Sequence, residues 1–186
     1  MMRLFIALPL TRPVEEQLGR IISLCRQTGG PVKWVVPHNV HVTARFLGDT
    51  EQARVPSLKT VIDEVSAQFR TIASAIDRLG GFPNLNRPRV IWAGLGENTE
   101  TMANLARQIE LRVRKLRFEP EKKSFRAHLT LGRVRSSRGI EELTAFLQSY
   151  KFEAIPIQLD RICLFKSTLT PTGPIYERLH EALLQP

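Results

Sequence analysis

The chain reads as an α+β or α/β protein built of two related halves. Three observations predict this. Helix-period and strand-period stretches alternate from end to end. A short His-x-Thr pattern occurs twice, at His41 and His128, a separation of 87 residues in a chain of 186. No low-complexity or linker-like stretch divides the chain, so residues 1–186 form a single two-lobed unit.

The elements follow in order. Arg3–Leu8 is a short apolar run and reads as a first strand. It is too short for a leader peptide, Pro9 interrupts it, and no A-x-A site follows. Val14, Leu18, Ile21, Ile22 and Cys25 recur at helical spacing behind Thr11 and Pro13. Strands are predicted at Val32–Val36 and Val40–Leu47, after the Gly29-Gly30-Pro31 turn. Val55, Leu58, Ile62, Val65 and Phe69 mark a second helix, and Thr71–Leu79 the next strand. Beyond Gly80-Gly81 and Pro83 comes the strand Val90–Leu95. A third helix carries Met102, Leu105, Ile109, Val113 and Leu116, with Asn98 and Thr99 as candidate caps. Ala127–Val134 is a strand, and Ile140, Leu143, Phe146 and Leu147 mark a fourth helix. Glu153–Phe165 reads as strand. Ile175, Tyr176, Leu179 and Leu183 suggest a weak fifth helix, with His180 on its surface.

Composition narrows the function classes. Hydrophobic residues are 42% and charged residues 24%, which is ordinary for a folded domain. No apolar run reaches the roughly 18 residues of a membrane helix, so no membrane association is expected. Cys25 and Cys163 are far apart and outside any C-x-x-C pattern. Two small core cysteines suit a reducing, cytoplasmic setting. The net charge is +9, from 27 basic and 18 acidic residues. Arg107 to Arg138 holds eleven basic residues against three glutamates, a net +8 bracketing His128. Part of this is a solvated helix face. Its position nonetheless suggests an anionic partner, with RNA longer than a mononucleotide as the expected user.

The two His-x-Thr strands carry the chemistry. Residues i and i+2 of a strand face one side, so His41 points with Thr43, and His128 with Thr130. Val42 and Leu129 then point into a packed layer. Side by side about a pseudo-twofold axis, the strands would bring two imidazoles and two hydroxyls to one cleft. In-line displacement at phosphorus needs a base on the entering oxygen and an acid on the leaving one. Two histidines fill these roles near neutral pH, and threonine hydroxyls can bond the non-bridging oxygens. The bland alternative is a pair of hydrogen-bonded structural histidines. A metal site is the other alternative, but no third ligand lies near either motif, so no metal and no cofactor is expected. A binding module that recognises RNA ends or nucleotides without turnover also stays open, although it has no need of two proton-transfer groups.

The flanking segments sharpen this. Arg3-Leu4-Phe5-Ile6-Ala7-Leu8-Pro9, Asn39-Val40-His41-Val42-Thr43-Ala44-Arg45-Phe46-Leu47-Gly48, Gly80-Gly81-Phe82-Pro83 and Phe125-Arg126-Ala127-His128-Leu129-Thr130 resemble the two-histidine phosphoesterases. The likeness is closest to the RNA 2′,3′-cyclic phosphodiesterase (LigT-like) branch and runs along almost the whole chain. Ala127 stands where that family usually has proline, and Gly132 where it usually has alanine or a larger residue. The resemblance implies a bilobal fold with antiparallel sheets lining a central cleft and helices outside. It implies hydrolysis of a terminal 2′,3′-cyclic phosphate to a 2′-phosphomonoester, with His41 as proton donor and His128 as proton acceptor. It also admits 2′–5′ RNA ligase-like activity. RNA or an oligonucleotide with a cyclic-phosphate end, or a cyclic nucleotide, is the implied partner, and a monomer the expected state.

Further residues are weighed by position. Arg133 lies an odd offset from His128, so a straight strand would turn it away. The resemblance places the matching arginine near the phosphate, which requires a bulge or a strand end. Phe46 is at an odd offset from His41, with core packing as its default and base stacking as the alternative. Trp34 and Phe125 could stack on a base or ribose. Trp92 is expected in the core, and His38 in a loop. Lys166 and Ser167 are candidates for the cleft rim.

Overall fold

A computed structural model describes residues 1–151, 153–171 and 173–186. Among the described residues nine strands and four α-helices are interspersed. The strands are β1 (Met2–Pro9), β2 (Val32–Trp34), β3 (His41–Thr50), β4 (Ile72–Phe82), β5 (Val90–Leu95), β6 (His128–Val134), β7 (Ile155–Leu159), β8 (Arg161–Leu169) and β9 (Pro174–Leu183). The helices are α1 (Arg12–Gln27), α2 (Val55–Ser66), α3 (Thr99–Lys115) and α4 (Glu141–Ser149).

The named strands pair antiparallel throughout, in the order β7-β4-β5-β6-β3-β1-β8-β9, with β2 also on β6. The arrangement is therefore α+β, as expected. It differs in one respect: the two expected sheets are halves of a single sheet. They join where Val42 of β3 pairs with Leu129 of β6. Each half contributes four strands to the ordered path, and the chain crosses between halves. β4 follows α2 but joins the half of β5 and β6, while β8 and β9 return to β1. These crossings explain why no linker is visible in the sequence.

The helices form because their apolar residues share a face that the sheet can cover. On α1 the buried residues are Val14, Leu18, Ile21, Ile22 and Cys25, the predicted stripe. On α3 they are Met102, Leu105, Ala106, Ile109 and Val113. Asn98 takes the N-cap position of α3 in a left-handed conformation, but its side chain caps nothing. Its amide donates instead to the Ala73 carbonyl at 2.7 Å, tying the helix to β4. Both cysteines are buried and unpaired. Among the described residues no helix is long and apolar enough to cross a membrane.

Two predicted elements need correction. Glu153–Phe165 is two strands, broken at Asp160. The predicted fifth helix is the edge strand β9. In its pairing with β8, Leu164 meets His180 and Phe165 meets Arg178, which leaves Leu179 as an extra, bulged residue. The bulge breaks the two-residue alternation, and the remaining apolar spacing imitates a helix.

Candidate active site

β3 and β6 hold the two motifs side by side and antiparallel. The Val42–Leu129 pair lies at their junction, both side chains fully buried beneath it. His41 and Thr43 flank Val42, and His128 and Thr130 flank Leu129, so all four fall on the opposite, cleft face. A cleft of about 500 Å³ is lined by His41, Thr43, Thr130 and Arg133 together with Trp34 and Phe46. The adjoining hollow adds His128 and Phe125 around the same Thr43, Thr130 and Arg133.

The two imidazoles are held alike. His41 Nδ1 donates to the Asn39 carbonyl at 2.8 Å, and His128 Nδ1 to the Arg126 carbonyl at 2.7 Å. A carbonyl can only accept, so in each neutral ring Nδ1 carries the hydrogen and Nε2 holds the lone pair. Burial disfavours the charged form of both rings. It pushes His41 down to about 4, against the bond to Asn39, with His128 nearby lowering it further. His128 is lowered in the same direction, first by burial, with the Arg126 bond opposing and Arg133 adding to the effect.

Their surroundings differ. The His41 ring stacks on Phe5, centroids 4.9 Å apart, and Tyr176 meets its edge at 5.6 Å. Phe46, Phe5 and Phe165 run across β3, β1 and β8 as a ladder of rings, at 6.2 and 5.3 Å. The His128 ring meets the edge of Phe82 at 5.1 Å. Phe5, Tyr176 and Phe82 were not legible as site residues. Tyr176 was hidden by the helix-like reading of β9. Phe5 shows only as one apolar residue in an apolar strand.

β-bulges decide two other placements. In the β1–β3 pairing Ile6 meets Arg45 and Ala7 meets Thr43, which leaves Ala44 unpaired. Beyond this bulge the faces exchange. Arg45 turns inward, and Phe46 turns to the cleft with 57% of its surface exposed. Core packing of Phe46 is thus overturned. On β6, Leu131 is the extra residue between the pairs Trp92–Thr130 and Ile91–Gly132. That bulge returns Arg133 to the cleft despite its odd offset.

Trp34 lies across Gly132, where a Cβ would come within 2.9 Å of its ring and 2.7 Å of Val32. Glycine at 132 therefore makes room for the indole at the cleft wall. Trp92 is only half-buried, contrary to its expected core position. It lies over Gly80 and Gly94, with Phe82 at 5.2 Å. Ser167 reaches the cleft lining, whereas Lys166 pairs with Glu177 at 2.9 Å. His38 sits exposed in a 3-10 turn, Pro37–Asn39. His180, on β9, bonds Asp63 Oδ1 at 2.6 Å and does not line the cleft. Among the described residues no three His, Cys, Asp or Glu side chains group as metal ligands.

Comparison with known proteins agrees with this arrangement. The model of the LigT-like phosphoesterases matches residues 8–92 and 95–176. An RNA 2′,3′-cyclic phosphodiesterase of Archaeoglobus fulgidus is 34% identical over 179 residues, covering 96% of this chain and 98% of its own. One of Methanothermobacter thermautotrophicus is 31% identical over 175 residues, 94% of each chain. The crystal structure of TT0787 of Thermus thermophilus has the same fold, with a TM-score of 0.81 at 24% identity, over 99% of this chain and 98% of that one. With the paired His-x-Thr strands on one cleft and the family model matched along both halves, the chain belongs to the LigT-like phosphoesterase family.

Proposed function

We propose that the protein hydrolyses the terminal 2′,3′-cyclic phosphate of RNA to a 2′-phosphomonoester, using paired histidines and no resident metal. The observation that carries this reading is the matched pair of imidazoles on one cleft, each with Nδ1 bound to the carbonyl two residues upstream. Such a pair leaves two Nε2 atoms free for proton transfer. The similarity to curated RNA 2′,3′-cyclic phosphodiesterases supports the choice of substrate.

In this mechanism His128 Nε2 takes a proton from water as its oxygen attacks phosphorus. The bond from phosphorus to the 3′-oxygen breaks, and protonated His41 gives its Nε2 hydrogen to that oxygen. The product carries a 2′-phosphate and a free 3′-hydroxyl. Thr43 and Thr130 donate to the non-bridging oxygens, while Arg133 offsets the growing negative charge. In the free protein burial keeps both rings neutral near pH 7. A bound phosphodiester anion beside the imidazole favours the protonated form, so substrate itself supplies the counter-charge. Phe46, Trp34 and Phe125 offer faces on which a base or ribose can stack.

Product analysis tests the reading. Phosphorus NMR of reactions on 2′,3′-cyclic AMP and on a cyclic-phosphate-ended oligonucleotide should show a 2′-phosphomonoester. His41→Ala and His128→Ala should each lower turnover by about 10²–10⁴-fold. A 3′-phosphate product, or full activity in either variant, would overturn the proposal.

A further inference from the structure

The bulge that sends Phe46 to the cleft also sends Arg45 inward, and what Arg45 holds points to how longer RNA is gripped. Its side chain is 7% exposed. Nε donates to Glu110 Oε2 on α3 at 2.5 Å, and Nη1 to Glu121 Oε2 at 3.3 Å. Nη1 also bonds the Phe46 carbonyl, and Nη2 the Glu119 carbonyl. The Glu121 backbone N–H donates to Glu110 Oε1 at 3.1 Å, and that of Lys123 to Glu121 Oε1 at 3.3 Å. The connection between α3 and β6 is thus fastened to the motif strand through one buried guanidinium.

This latch has an electrostatic consequence. The carboxylates of Glu110 and Glu121 are turned to Arg45, whose charge offsets one of the two. Lys122, Lys123 and Arg126 stay exposed, and among the described residues none of them makes an ion pair. They border a hollow of about 810 Å³ that also contains Thr43 and His128. Phe46 lines this hollow as well, and its ring continues through Phe5 and Phe165 onto β1 and β8. The hollow therefore offers aromatic faces and a cationic border together.

We propose that residues 117–126, latched by Arg45, are the track for the backbone phosphates that precede the cyclic phosphate. The track makes oligonucleotide ends better substrates than mononucleotides. This rests on the reading that the cleft hydrolyses RNA 2′,3′-cyclic phosphates. A base stacks on a neutral aromatic face, whereas successive phosphates need closely spaced cations, and Lys122, Lys123 and Arg126 supply them within five residues. The competing route for the chain is over Arg3 and Lys33, which line the other arm of the cleft.

The test compares 2′,3′-cyclic AMP with a cyclic-phosphate-ended decanucleotide across a salt series, for the wild type, Lys122→Ala/Lys123→Ala and Arg3→Ala/Lys33→Ala. Binding of a decanucleotide ending in a 3′-phosphate is measured in parallel by fluorescence anisotropy. Wild type should prefer the decanucleotide at low salt. In the Lys122/Lys123 variant the slope of its log(kcat/KM), and of its log affinity, against log salt should flatten by about 1.4, about 0.7 for each lost contact. Hydrolysis of 2′,3′-cyclic AMP should change less than about twofold. An unchanged slope in that variant, or a loss confined to Arg3→Ala/Lys33→Ala, overturns the track. A wild type that turns over neither substrate sinks the hydrolase reading, while the anisotropy slopes still decide the track.

Discussion

Asn39 and Arg126 accept equivalent bonds from the two imidazoles, yet they are held very differently. Asn39 is buried, and its side-chain amide donates to the Pro174 carbonyl at 3.0 Å, joining the first motif to the start of β9. Arg126 is exposed, in the connection before β6. His41 is therefore the more rigidly framed ring and the more deeply buried one. This difference lets the acid and base roles be separated experimentally, which the near-symmetric motifs do not permit. A p-nitrophenyl phosphodiester has a leaving group that needs no proton. His41→Ala should recover most of its lost rate on such a substrate, whereas His128→Ala should stay about 10²-fold or more below wild type. Equal recovery in both variants would contradict the assignment. At this scale His41, Thr43, His128 and Thr130 were legible, because a two-residue period alone puts each pair on one face. Phe46 was not, since it lies beyond a bulge that a single strand does not announce, and Tyr176 was not, since the bulge at Leu179 gives its strand a helix-like spacing.

Among the elements, β6 shows how local sequence and partner strands share control. Its His-x-Thr half alternates regularly, and its second half does so only after the extra residue Leu131. Gly132 then receives the indole of Trp34 from β2. Gly132→Ala would place a methyl group 2.7 Å from Val32 and 2.9 Å from the indole. Overpacking of this kind costs about 1–3 kcal/mol. Denaturant unfolding should show a lowered midpoint corresponding to a free-energy loss of that size, with Trp34 fluorescence displaced in the folded state. An unaltered midpoint and spectrum would show that the wall yields freely. The helices were legible to within a turn because each buries one continuous stripe. β9 was not, because its bulge at Leu179 disguises an edge strand as a helix.

For the whole molecule, the site couples catalysis to stability. His41 has an ordinary value of 6.5, which holds for the unfolded chain, and about 4 when folded. Below 6.5 the unfolded chain takes up a proton that the native ring refuses until near pH 4. The stability belonging to His41 is therefore complete above pH 6.5 and is lost as pH falls toward 4. Thermal unfolding should show Tm falling over this interval more steeply in wild type than in His41→Leu. Inorganic phosphate should flatten the wild-type profile by favouring the charged ring. Identical profiles for the two proteins would remove His41 as the cause.

The sequence by itself determined the alternation of helices and strands, the duplicated motif, the pairing of each histidine with a threonine, and the gathering of positive charge around His128. Each of these follows from local periodicity or composition, which need no knowledge of a neighbour. Tertiary structure alone decided that the halves share one sheet, that Arg133 and Phe46 turn to the cleft, and that Arg45 turns inward to latch the cationic connection. The side-chain placements share one physical reason. A bulge exists only relative to the strand across from it, so the face a residue takes beyond one is set by the register of the partner strand.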